Sequence, residues 1–84
     1  MADLRKPTLD PNAIRAACDE VMTALNGEDP ISELRTLAID IAGRGLGREG
    51  TCAVFVSVCE NLTEAGRDEE SRTVAYVLDM IAEW

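Results

Sequence analysis

Ile14, Ala17, Cys18, Val21, Met22 and Leu25 return at intervals of three and four, which on a 3.6-residue turn places all six on one side. The spacing predicts a helix over 11–26. Asp10 suits the N-cap, Pro11 suits the first turn because its missing N–H has no partner there, and Leu9 is placed to staple onto Ile14. Gly27 offers a left-handed residue just past the end. Asp29 and Pro30 repeat the cap-then-proline start, and Ile31, Leu34, Leu37, Ala38, Ile41 and Ala42 follow on one face. A second helix is expected over 30–43, with Ile39 on its flank or exposed.

The stretch 51–65 carries two signals. Val54, Val56 and Val58 alternate and are β-branched, which over so short a window reads as a strand. Length favours a helix, because Ser57, Glu60, Asn61 and Glu64 then gather into a narrow polar strip while Cys52, Phe55, Val58, Cys59, Leu62 and Ala65 fill the other side. So wide an apolar arc suits the most buried helix of a bundle. Thr51 is its expected cap and Gly66 its stop. The last helix is expected over 69–83, opened by Asp68 with Glu69 and Glu70 where the backbone dipole favours negative charge, and its core face is Val74, Val77, Leu78, Ile81 and Ala82.

Links at 27–29 and 66–68 are short, so consecutive helices should pack antiparallel. The expected architecture is all-α: a small antiparallel four-helix bundle forming a single helical domain over 10–84, preceded by an N-terminal arm at 1–9. Arg35-Thr36-Leu37-Ala38-Ile39 faintly echoes Arg72-Thr73-Val74-Ala75-Tyr76, but the first and third helices hold no companion match at that offset. At 84 residues the chain is worth roughly 4 to 13 kcal/mol, so each large buried side chain carries a sizeable share.

Charge narrows the function. Sixteen Asp and Glu stand against eight Lys and Arg, a net charge of −8, and there is no histidine. That removes the usual general base and the commonest metal ligand. Residues 51–84 alone hold seven acids and two bases. Such a surface repels nucleic acid and anionic membrane and attracts basic proteins, and no basic stripe exists for phosphates. Met1 to Leu9 lacks the apolar run of a secretory signal, and the apolar stretch from Cys52 to Cys59 is far shorter than the ~20 residues of a membrane span. The expected compartment is the cytoplasm.

Several patterns invite a chemical reading. Gly45-Leu46-Gly47-Arg48-Glu49-Gly50 spells G-x-G-x-x-G, but it follows a helix where a dinucleotide fingerprint follows a strand, so a flexible linker is the better expectation than an anion site. Glu60 with Glu64 and Asp79 with Glu83 are carboxylates one turn apart, as in dinuclear metal sites, yet the histidines of such sites are missing and the acids lie on polar strips. Cys18, Cys52 and Cys59 are odd in number, show no C-x-x-C spacing and read as reduced packing residues, with Cys52 set apart by its expected place at a helix N-terminus. No catalytic residue, cofactor or metal is expected.

Tyr76, Met80 and Trp84 step by four along the last helix, at or outside the edge of its core arc, interleaved with Asp79 and Glu83. Tyr and Trp are enriched at interface hot spots, and Met adapts to partner surfaces. The expected function is therefore a non-enzymatic interaction module that docks on a basic partner protein through Tyr76, Met80, Trp84, Asp79, Glu83, Glu60 and Glu64. A nucleic-acid-handling partner would make it an inhibitor of the DNA-mimic or phage-type anti-defence kind. The alternative is an oligomerisation or adapter module that pairs with its own copy through the apolar stripe of the last helix.

Overall fold

A computed structural model describes residues 11–84. The expected arm at 1–9, the Asp10 cap and the Leu9 staple lie outside the described residues. Among those described, helices are the only regular structure: α1 is Pro11–Leu25, α2 is Pro30–Ile41, α3 is Gly47–Glu64 and α4 is Asp68–Ala82. Val54 to Val58 lies inside α3, so length and the polar strip decided over the β-branched alternation.

The start of α2 is the one the Asp29-Pro30 pair predicts. The Asp29 carboxylate accepts from the Ser32 N–H at 3.4 Å, while Pro30 occupies the first turn. At the end of α3 the Gly66 N–H donates to the Thr63 carbonyl and the Arg67 N–H to the Leu62 carbonyl, with Gly66 at φ 78°. This paired arrangement satisfies two otherwise orphaned carbonyls and explains why the stop is a glycine. Gly27 is different. It does not take a positive φ, and its N–H simply continues the turn to the Ala24 carbonyl. The opening of α4 also differs, since Arg67 rather than Asp68 is the residue before the first turn, and its side chain pairs with Glu70.

The stretch expected as a flexible linker at 43–50 is helical instead. Ala42–Leu46 forms a π-helical turn on the end of α2, closed by the Gly47 N–H on the Ala42 carbonyl, and non-helical backbone at Gly45 (φ 104°) and Gly47 (φ 67°) kinks the chain where α3 begins. The described residues thus hold three helical runs, the middle one bent from Pro30 to Glu64. The all-helical class stands, and a count of four separate helices is not established. Because α3 starts at Gly47, Thr51 is not its cap. Thr51 is buried, and its hydroxyl donates to the Gly47 carbonyl at 2.7 Å.

Only a residue without a Cβ adopts the Gly45 conformation cheaply, and nothing lies within 4 Å of where a Cβ would sit. Gly45→Ala should therefore cost about 1–2 kcal/mol, all of it from the backbone. Gly43 has equally open space and no positive φ, so Gly43→Ala should be neutral or slightly stabilising. Urea denaturation of the two variants checks this, and equal values would show that the kink is not a fixed feature.

Packing follows from the apolar faces. Ala17, Val21, Leu25, Leu34, Ala38, Ile41, Val54, Phe55, Val58, Leu62, Val74, Val77 and Ile81 form one core. α3 contributes most to it because α1 packs on one side and α4 on the other. α2 lies against α1 and α4 and touches α3 little beyond their junction. Ala65 and Ala82, expected in the core, are exposed, each at the end of its helix. Ile31 and Ile39 are exposed as well, Ile39 to 65%.

Candidate functional site

Two side-chain contacts set the register of α3 against α4. The Cys59 thiol donates to the Ser71 carbonyl at 3.6 Å, and Arg48 donates to the Ala82 carbonyl at 3.3 Å. The two helices therefore run antiparallel. Arg48 also satisfies one of the last carbonyls of α4, which have no partner within the helix.

On the outer face of α4, Tyr76 is 56% exposed and Trp84 52% exposed, with Asp79 and Glu83 exposed between them. Tyr76 lies within α4, and Trp84 follows two residues after its last residue, Ala82. Met80 is half-buried and packs on the core, so it underlies this surface more than it projects from it. Neither Asp79 nor Glu83 forms an ion pair with another described residue.

Glu60 and Glu64 do not join that surface. The register places them opposite the start of α4, at the end of the hairpin near Gly66, whereas Asp79 and Glu83 lie opposite the start of α3. Some twelve residues of helical rise separate the two acidic pairs by roughly 18 Å. Sequence could show that each pair shares a helix face, but only the α3–α4 register could show that the pairs sit at opposite ends. The separation rules out a shared dinuclear site, and among the described residues no group of acids or thiols is arranged to hold a metal ion.

The thiols are packing groups. Cys18 donates to the Val54 carbonyl at 3.8 Å, and burial pushes its thiol pKa up. Burial likewise raises that of Cys59, whose neighbour Ser71 donates back to the Cys59 carbonyl at 3.3 Å. Raised values disfavour the reactive thiolate. Cys52 loses its special position, because the earlier start of α3 leaves it more than one turn inside the helix. The G-x-G-x-x-G stretch loses its cationic neighbours too: Arg44 is turned to two carboxylates and Arg48 to the Ala82 carbonyl.

The feature that sequence reading missed lies between α1 and α2. Arg44 grips Glu20 of α1 through two hydrogen bonds of 2.8 Å and also binds Asp40 of α2. The Arg44 hydrogen bonds hold the Glu20 carboxyl below its ordinary pKa, and Arg44 itself is raised. Beside this clamp runs a shallow groove floored by Ala24 and Leu37 and edged by Asp19, Glu20 and Glu33. The sequence signal was present in the helical spacing of Glu33, Leu37 and Asp40, but nothing in one helix reveals which face its neighbour flanks.

A depressed carboxyl pKa contributes stability that is present above the unfolded value of about 4.3 and is lost as pH falls through the lower folded value. Glu20→Gln should accordingly melt below the wild type at neutral pH, with the gap closing through the acid carboxylate range and narrowing in high salt, since the pair is exposed. A gap that persists at pH 3 would mean the glutamate stabilises by something other than its charge.

No helix among the described residues is long and apolar enough to cross a membrane. Comparisons with protein-family models, with curated proteins and with solved structures found no match. The chain is defined by its architecture and surface: a small, acidic, all-helical protein.

Proposed function

We propose that this protein is a non-enzymatic docking module that occupies a basic surface of a partner protein. The observation that carries the reading is the outer face of α4 and its C-terminal end, where Tyr76 and Trp84 stand half-exposed around Asp79 and Glu83, two carboxylates with no cation partner among the described residues. Aromatic rings supply contact area at low entropic cost, and uncompensated carboxylates steer a basic partner into place. In this reading the bent middle run acts as two arms, so that four antiparallel rods surround the core and present α4 outward. The protein works in the cytoplasm, takes no cofactor and acts by occupancy. If its partner handles nucleic acid, the carboxylates compete for the groove that holds phosphates, in the manner of a DNA mimic or a phage-type anti-defence inhibitor.

Association with such a partner should be fast at low salt and slow as ionic strength rises, because exposed charges are screened beyond ~10 Å at 0.1 M. Stopped-flow association rates from low to physiological salt test this. An on-rate indifferent to salt would sink the docking field, and direct binding of this protein to DNA or RNA would sink it more thoroughly.

The alternative is a homodimeric adapter that pairs through the stripe of Tyr76, Met80 and Trp84, favoured by the apolar share of that face. A mass measurement in solution separates the two. A stable dimer that buries Trp84 supports the adapter, and a monomer that binds a basic protein supports docking.

A further inference from the structure

The groove between α1 and α2 is a second surface, distinct from the outer face of α4. One depression lies between the helices, lined by Asp19, Thr23 and Ala24 of α1 and Glu33 and Leu37 of α2, and a second, lined by α2 alone, adjoins it along Ser32, Thr36 and Asp40. Their floor is apolar, made of Leu37 with Ala24, both packed against the core and only partly covered. Along α2 the two depressions together extend about 12 Å, from Ser32 to Asp40.

Its uncompensated acids stand at its two ends. At one end Arg44 neutralises much of Glu20 and Asp40. Asp19, beside Glu20 at that end, and Glu33, at the other end against Gly27, pair with no cation among the described residues. The Glu33 carboxylate folds over Gly27, where a Cβ would lie 2.5 Å from both of its oxygens, so the glycine makes room for the acid at the groove's open end.

We infer that the α1–α2 groove is a docking site for a short amphipathic helix of a partner protein, whose aliphatic stripe covers Leu37 and Ala24 and whose lysines or arginines meet Asp19 and Glu33. Charge complementarity identifies the occupant. An apolar floor between acidic walls matches an aliphatic stripe flanked by basic residues, and the trough between two antiparallel helices accepts the ridge of a third. This inference rests on the reading of the chain as a docking module and specifies one segment of its partner.

The test uses the whole protein and a fluorescein-labelled peptide of about 15 residues, built from leucine and lysine so that a helix carries one leucine stripe. Fluorescence anisotropy should show binding that weakens about tenfold or more when Asp19→Lys and Glu33→Lys are combined. The pair Asp79→Lys and Glu83→Lys on α4, which changes the net charge by the same amount but leaves the groove intact, should weaken the peptide clearly less than the groove pair does. If the reversed groove variant does not fold, Asp19→Asn with Glu33→Gln should give the same ranking with a smaller loss. Equal losses from both pairs would overturn the inference, since the peptide would then read only overall charge. A peptide with serine in place of its leucines that binds as well as the original would overturn it too, by removing the role of the floor. Loss confined to the α4 pair would overturn the groove and leave the proposed function standing, whereas no binding to the wild type would count against both.

Discussion

Replacing Phe55 with alanine is expected to remove about 3–5 kcal/mol of folding stability, the largest effect of any single truncation in this chain. Phe55 is the only phenylalanine and is fully buried in α3, the helix that packs on both α1 and α4. Truncation leaves a cavity that α3 cannot easily collapse, because the buried Val54 and Val58 on neighbouring turns are held by the same packing. Against a total of roughly 4 to 13 kcal/mol, such a loss leaves the variant marginal or unfolded at ambient temperature. Urea denaturation followed by helical circular dichroism measures it. A loss below about 1 kcal/mol would mean that Phe55 is not at the centre of the core.

The second large effect concerns binding. If the outer face of α4 is a contact surface, Tyr76→Ala should weaken partner affinity by about 2 kcal/mol or more, near thirtyfold, while leaving the melting temperature almost unchanged. The ring is more than half exposed, so the free protein gains little by holding it. Trp84→Ala is a less clean companion. About half of its surface is covered, so loss of the ring should lower affinity and stability together. Calorimetry with the partner decides the matter, and unchanged affinity for Tyr76→Ala would remove α4 from the interface.

Much of the architecture was legible in single residues. Asp29-Pro30 marked a helix start and Gly66 a stop because a cap and a left-handed terminus are satisfied within a few residues of chain. The buried faces of α1 and α4 followed from periodicity for the same reason. The segment 43–50 was misread because glycines commonly signal a linker, whereas here Gly45 and Gly47 make a tight kink that joins α2 to α3 with no loop between them. That shift moved the start of α3 to Gly47, buried Thr51 and drew Cys52 away from the helix end.

The sequence by itself determined the helical class, most of the core, the acidic character and the exposure of Tyr76, since each depends on spacing along one helix or on composition. Tertiary structure alone decided which surfaces meet. It separated Glu60 and Glu64 from Asp79 and Glu83 through the α3–α4 register, brought Glu20 and Asp40 to Arg44, and brought Asp19 and Glu33 to the edges of one apolar floor. Periodicity specifies which face of a helix turns inward. The register and rotation of one helix against the next come from side-chain packing between segments distant in the chain, which no local pattern encodes.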